Sequence, residues 1–462
     1  MLKKQELEHY LKKCLQTGAD FAEIYLEESC HKNIRLIDQK VQKVWTSIET
    51  GIGIRICLQD KIVYGSTNNL DNLDTLLKRL ISNFKNSPNN KEIKLPKKKI
   101  YHDNIKISHQ EYPVEKKKEL LHKIDKIARN ESDKISQVQV VLIEEDKKIT
   151  IANTNHLYTE DNRTLTRISI TTFVKEKEQI EKAYVAPGFK IGYEFLEKVN
   201  VEKLTKETVK NALKKLNAQE CPSGEMPVII GNGFGGVIFH EACVHSLEAT
   251  TVAKGSSVFC DKIGKQIASS KVTIVDDGTL ENKWGSFNID DEGAISKRNI
   301  LIEKGILKSY LIDYINGKVM KSPSTSSGRR ESYKYAPISR MSNTFLLEGT
   351  DKIEDMIKSI DYGIYAKNMG GGSVDPKTGD FNFAVNEAYL IENGKVTIPI
   401  KGASLIGNGA EIIQRVSMVS NDLELTAGIC GSKSGWIPVT VGQPTIKVDK
   451  ILVGGKGEKI HE

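Results

Sequence analysis

The run VIIGNGFGGVIFHEACVHSLE, residues 228–248, marks the seam of this 462-residue chain. An apolar, strand-like stretch passes through a cluster of glycines and enters HEACVH. Upstream, the sequence reads as two successive units of helix, strands and helix. Downstream, short β-runs separated by glycine-containing turns take over. That order predicts an α+β fold with two N-terminal helix/strand subdomains followed by a β-rich C-terminal domain. The expected boundaries are 1–85 for the first unit, 86–112 for a charged linker, 113–222 for the central unit and 223–462 for the last.

Working outward, the first unit opens with Leu7, Tyr10, Leu11 and Cys14 at helical spacing, and Gly18 is the expected stop. Strand-like pieces follow at FAEIYLEES, NIRLIDQKVQKVW and GIGIRICLQDKIVYG. In the last, Ile52, Ile54, Ile56 and Leu58 alternate, which predicts a half-buried strand. A second helix carries Leu73, Leu76, Leu77, Leu80, Ile81 and Phe84 on one face. NSPNNKEIKLPKKK (86–99) is polar, charged and broken by proline, so it reads as linker. The central unit begins with a helix at Pro113, then strands at QVQVVLIEE, KKITIANT and TLTRISITTFVKE, and closes with a helix near 201–216. Beyond Pro227, Asn393-Gly394 in LIENGKV is a two-residue hairpin signal, and Asp277-Gly278 sits in a similar setting. LIEKGIL (301–307) echoes LIENGKV as recurrent hairpin chemistry. One helix interrupts the β-pattern, through Ile353, Met356, Ile357 and Ile360 to Gly363.

Composition excludes several classes. Hydrophobic residues make up 39% and charged residues 27%, enough apolar material for packed cores and too much for a disordered chain. Thirty-six glycines and 12 prolines rule out a collagen-like rod. No run of eighteen apolar residues occurs, which argues against a membrane-spanning helix, and MLKKQELEHYLKKC is too charged for a signal peptide. Residues 1–230 carry 40 basic and 33 acidic side chains, and residues 231–462 carry 27 of each. The excess sits around 91–118. It reads as a solvated linker and helix face, because no aromatic residues interleave it, and nucleic acid is not an expected partner. Seven cysteines without a CxxC pair argue against a disulfide framework and for a reducing, cytoplasmic compartment.

The chemistry concentrates in HEACVH. His240 and His245 flank Glu241 in an H-E-x-x-x-H pattern. In the familiar H-E-x-x-H arrangement the two imidazoles lie four apart, on one helical face. Five residues on an ideal α-helix advance about 140° past a full turn, so both rings reach one ion only if the backbone at 240–245 is distorted or wider than α. The other reading is two ordinary helix residues on different faces. Cys430, between glycines in TAGICGSKSG, is the best candidate for a third ligand in a zinc set with one open position. A free buried thiol is its alternative. Glu241 is suited to take a proton from water activated at the metal and pass it to a leaving amine. Glu248 either orients an imidazole or is a solvated helix-end charge. GRRES (328–332) offers two arginines as a carboxylate clamp or as structural ion-pair donors. The triple glycine of NMGGGSVD (368–375) lacks a P-loop pattern, and no G-x-S-x-G elbow is present.

GADFAEIYLEES (18–29), FHEACVHSLE (239–248), TIVDDGTL (273–280), GSFNIDDEG (285–293) and GRRESY (328–333) belong together with YGIYAKNMGGGSVD (362–375), EAYLIENGKVTIPIKGASLIGNG (387–409), SMVSNDLEL (417–425) and VTVGQPTIKVDKILVGG (439–455). Through them the chain resembles the TldD/PmbA family of metallopeptidases over essentially its whole length, on the catalytically competent TldD side. The resemblance implies a zinc peptidase with His240, His245 and Cys430 as ligands and Glu241 as general base. It implies a cytosolic dimer, either a homodimer or a heterodimer with a PmbA/TldE-like subunit, acting on unfolded or small peptides in an enclosed site. No cofactor besides zinc and no membrane contact is expected. The rival functions are a non-catalytic partner or regulatory subunit, and a modulator of a toxin–antitoxin or gyrase system.

Overall fold

The protein is described here by a computed structural model covering residues 2–59, 61–84, 92–375 and 378–457. Helix α1 (Lys4–Leu15) buries Leu7, Leu11, Cys14 and Leu15, the stripe that its apolar spacing dictates. Strands β1 (Phe21–Ile37) and β2 (Lys40–Leu58) form a long antiparallel hairpin. Its turn is Asp38–Gln39, with φ of 46° and 65°, the left-handed pair that a two-residue hairpin loop requires. No glycine signals it. Instead the Asp38 carboxylate accepts from the Val138 N–H at 3.1 Å and from Arg129 Nη2 at 2.8 Å, which holds the turn. The piece NIRLIDQKVQKVW is therefore the end of one strand, the turn and the start of the next, rather than a single strand.

Strand β3 (Lys61–Thr67) pairs with β2 only over Ile52–Leu58. Helix α2 (Leu73–Ile81) and α1 cover Ile52, Ile54 and Ile56 on one sheet face. Each such aliphatic side chain, fully buried, contributes roughly 1.5–3 kcal/mol. The strand is buried on both faces over Gly51–Cys57 instead of half-buried. The reason is tertiary: the Tyr333 ring lies where a Cβ on Gly51 would come within 2.2 Å, and Arg55 is fully buried between Glu23 and Glu292.

The first two units share one sheet. Strand β4 (Lys99–His102) emerges from the tail of the expected linker and pairs in parallel with β6 (Tyr158–Glu176), so that stretch is not wholly linker. Residues 86–91 of it lie outside the described residues. QVQVVLIEE and KKITIANT fuse into the single strand β5 (Ile135–Asn153). The charged centre stays in the strand because Glu144 is buried against Lys117 at 2.7 Å and Lys147 donates to the Glu331 carbonyl at 2.8 Å. Strand β5 pairs with β1 from Glu23↔Asn153 to Ile37↔Gln139, giving the order β3-β2-β1-β5-β6-β4. Helix α3 (Val114–Glu131), starting after Pro113, packs with helix Val201–Leu216 around a core that includes Leu121, Ile124, Ile168 and Val209.

The C-terminal part is β-rich. Strands Tyr362–Val374, Gly224–Ile230, Ile446–Gly454, Ser404–Asn408 and Asp380–Glu392 pair in that order, and the last pairs back to the first, closing a ring. Asn393-Gly394 makes the expected hairpin, and Lys304-Gly305 does the same in LIEKGIL, with positive φ throughout. Asp277-Gly278 does not turn a hairpin: Ile274–Asp277 pairs with Arg298–Glu303 and Asn343–Leu346 inside a six-stranded sheet. That sheet runs on through Gly435–Gln443 to Glu424–Ser432, its outermost strand. Helix Val237–Ala242 is packed into the core formed by both sheets.

Candidate metal centre

The site is built where the strand Gly224–Ile230 hands over to the helix Val237–Ala242. The glycines between them permit close backbone approach: a Cβ on Gly236 would lie 2.4 Å from the Gly442 carbonyl oxygen. The helix then breaks. Cys243 adopts φ −119°, ψ −58°, its N–H donates to the Phe239 carbonyl at 3.1 Å, and a 3₁₀ turn Val244–Leu247 follows. Gly409 is pressed against the break, since a Cβ there would fall 1.7 Å from the Ala242 carbonyl oxygen. The five-residue spacing is thus resolved by an α-to-3₁₀ break at Cys243 and not by a wider turn. It sets the His240 and His245 rings 5.0 Å apart at 88°.

Cys430 reaches the same point from the outermost strand. Its Sγ lies 3.2 Å from His240 Nε2 and 3.3 Å from His245 Nε2. The three donor atoms all fall within 4.8 Å of one another, and all three residues are buried. Zinc–nitrogen bonds of about 2.0–2.1 Å and a zinc–sulfur bond of about 2.3 Å at tetrahedral angles set N···S at roughly 3.5 Å. The donor set therefore fits zinc in both chemistry and spacing. Among the described residues, no other cluster of three His, Cys, Asp or Glu is placed to hold a metal.

The surrounding groups fix the set. Glu248, nearly buried, places Oε1 3.1 Å from His245 Nδ1. A proton on Nδ1 donates to that carboxylate and leaves the Nε2 lone pair facing Cys430. Glu241, partly exposed, has Oε2 3.4 Å from His245 Nε2. His240 Nδ1 is buried and has no hydrogen-bond partner among the described residues. Burial alone would lower the His245 pKa, but the Glu248 carboxylate and Cys430 outweigh it and hold the ring well above its usual value. Burial alone would raise Cys430, but the two imidazoles hold the thiol well below its usual range. A thiolate beside two imidazoles is the donor set of a divalent-metal site once both rings are neutral. Cys243 points elsewhere, and burial pushes its thiol up to about 12, making it an inert core group.

Arg340 is a residue that the sequence did not flag. Fully buried, it donates to the Cys430 carbonyl at 2.6 Å, to Ser434 Oγ at 2.8 Å and to the Gly435 carbonyl at 3.1 Å. It fixes the backbone that presents the thiolate. No motif marks it, because its partners, two carbonyls and a serine hydroxyl, lie ninety or more residues away. The arginine pair of GRRES lies outside the site. Arg329 donates to the Met341 and Pro438 carbonyls, and Arg330 pairs with Glu23. The triple glycine 370–372 sits within strand Tyr362–Val374.

Comparison with known proteins gives matches along most of the chain. Models described as PmbA/TldA metallopeptidase domain 1, central domain and C-terminal domain match residues 22–84, 107–216 and 223–455. A metalloprotease TldD homolog of Haemophilus influenzae is 39% identical over 94% of this chain and 93% of its own. One from Buchnera aphidicola subsp. Acyrthosiphon pisum is 37% identical over the same shares. A relative from Saccharolobus solfataricus, 25% identical over 96% of this chain and 99% of its own, is named a zinc metalloprotease TldD homolog. The crystal structure of TldE from Thermococcus kodakarensis superposes with a TM-score of 0.73 at 20% identity, covering 98% of this chain and 99% of the other, and so shares the fold.

Proposed function

Because this chain belongs to the PmbA/TldD family of metallopeptidases, we propose that it is a zinc-dependent peptidase whose ligands are His240, His245 and Cys430 and whose general base is Glu241. The observation that carries this is the Cys430 sulfur at 3.2 Å from His240 Nε2 and 3.3 Å from His245 Nε2, across 190 and 185 residues of sequence. A zinc ion held by His240, His245 and Cys430 would supply Lewis-acid chemistry at the scissile carbonyl. Glu241 takes the proton from the attacking water and delivers it to the departing amine. Glu248 holds the His245 tautomer, and Arg340 holds the Cys430 backbone. Neither touches substrate.

The substrates are unfolded or small peptides in extended form. This reading is supported by the position of Cys430 on Glu424–Ser432, which among the described residues pairs only with Gly435–Gln443 and so lies at the sheet edge, where backbone addition can occur. The chain works in the cytoplasm, as free cysteines throughout suggest. It acts as a dimer, with itself or with a TldE-like subunit, a reading supported by the shared fold with TldE. Glu241→Ala tests the enzyme against the non-catalytic subunit. It should abolish cleavage of an unfolded protein such as reduced casein while zinc content stays that of wild type. Undiminished cleavage would leave the reading without its base, and equal cleavage of folded substrates would remove the enclosed-site part.

A further inference from the structure

Cys430 sits on a strand that the sheet holds from one side. Among the described residues, Glu424–Ser432 pairs with Gly435–Gln443 and with no other strand. A metal ligand has to be kept within about 0.5 Å of its working position, so an edge strand that carries one needs further support. Arg340 takes the Cys430 carbonyl. The carbonyl two residues earlier, that of Gly428, accepts from the Trp284 indole N–H at 2.9 Å in a buried setting. Trp284 packs with Ala427 and Leu165. Side chains alternate along a strand, so Ala427 points to the face opposite Cys430. The indole therefore backs the strand from behind the sulfur.

We propose that Trp284 is a positioning residue for the metal centre: by holding the Gly428 carbonyl it sets where the Cys430 sulfur meets the two imidazoles. The proposal rests on the zinc reading of that centre and adds the element that aligns it.

The indole is itself fixed on several sides. The Gly285 N–H donates to Asn343 Oδ1 at 3.1 Å and Thr440 Oγ1 at 3.2 Å, which ties the backbone beside the ring to two inner strands of the same sheet. The Arg167 guanidinium lies 5.6 Å from the ring centre. Gly188 faces Arg167 across paired strands, and a Cβ there would come within 2.8 Å of Trp284 Cε3. Leu165, Arg167 and Gly188 all belong to the central unit. That unit thus has a continuous physical route to the thiolate: from Arg167 and Gly188 to the indole, from the indole N–H to the Gly428 carbonyl, and along two residues of strand to Cys430. Phenylalanine would fill most of the space of the indole and cannot donate, so Trp284→Phe separates the hydrogen bond from the packing.

Zinc competition on the full chain against a chromophoric chelator at pH 7.5 reads the effect, with circular dichroism to check folding. Trp284→Phe should weaken zinc binding about three- to tenfold, less than the loss of a direct partner of an imidazole, because the hydrogen bond acts through the backbone. Gly188→Ala keeps the indole but drives a methyl against it, and should weaken binding by a similar factor. Trp45→Phe, at an exposed tryptophan, should leave binding within about twofold of wild type. The cobalt-loaded protein supplies a signature that packing alone does not move: the sulfur-to-metal charge-transfer band should weaken in Trp284→Phe and stand unchanged in Trp45→Phe. Zinc binding by Trp284→Phe within about twofold of wild type, or an unchanged band, overturns the proposal. Cys430→Ser separates the two levels. If it binds zinc as wild type does, the centre falls and this role with it; if it loses zinc while Trp284→Phe does not, only the role of Trp284 falls.

Discussion

Removing the Glu248 side chain isolates what orients a proposed ligand from the ligand itself. Glu248 Oε1 is the acceptor for His245 Nδ1, at 3.1 Å in a buried setting. Glu248→Ala leaves a buried N–H without an acceptor, a loss of about 1–3 kcal/mol. It also frees the imidazole to put its proton on Nε2, the atom that faces Cys430. Losing such an outer partner lowers metal affinity by roughly 10–100-fold, which at 1.4 kcal/mol per tenfold is about 1.4–2.8 kcal/mol, in line with the hydrogen-bond figure. Glu248→Gln keeps an acceptor oxygen and loses the charge, so it should fall between wild type and Glu248→Ala. The assay is zinc competition against a chromophoric chelator at pH 7.5, with circular dichroism to check folding. An affinity for Glu248→Ala within twofold of wild type would show that His245 is held by something other than this carboxylate.

Other outcomes follow from the same geometry. Gly409→Ala forces a methyl into the Ala242 carbonyl, so thermal unfolding should show a loss of about 1–3 kcal/mol, and zinc per chain should fall with it; a stable, fully loaded variant would mean that the helix break is not held by Gly409. Asp351 accepts from the Val419 N–H at 2.8 Å and pairs with Lys271 at 2.9 Å. Burial opposes ionisation there, but these partners win and hold its pKa below the ordinary value. A depressed carboxylate stabilises the fold above its unfolded pKa and loses that stabilisation as pH falls through the folded value. Asp351→Asn should therefore cost about 0.5–1.5 kcal/mol in urea unfolding at pH 7, and the difference should shrink as pH falls below about 4; a constant difference would refute the ionic part. With a chelator present, Cys430 should be the first thiol alkylated near neutral pH and zinc should protect it, while Cys14 and Cys243, both pushed up to about 12 by burial, stay unmodified; peptide mass mapping reads this, and prior labelling of Cys243 would contradict it.

Much of the local structure was legible because local rules govern it. The stripe of α1, the start of α3 after Pro113 and the Asn393-Gly394 turn all stand as their residues read. What escaped depends on distant partners. The Asp38–Gln39 turn has no glycine and is held by Val138 and Arg129. The stretch of β5 reads as two strands, yet Lys117 and Glu331 hold its charged middle and make them one. The alternation in β2 promised one wet face, and Tyr333 and Glu292 cover it. At the site, HEACVH announced two imidazoles and the need for a distorted backbone. The kind of distortion depended on Gly409, which presses on the helix from far along the chain. Cys430 was marked only by the glycines around it, which say nothing of the distant imidazoles, and Arg340 was not marked at all.

The most direct test of the proposed centre is zinc K-edge X-ray absorption on the loaded protein. The account predicts one sulfur at about 2.3 Å and nitrogen or oxygen neighbours at about 2.0–2.1 Å, with the sulfur shell gone in Cys430→Ser. A zinc environment with no sulfur in the wild type, or one whose sulfur survives Cys430→Ser, would contradict it.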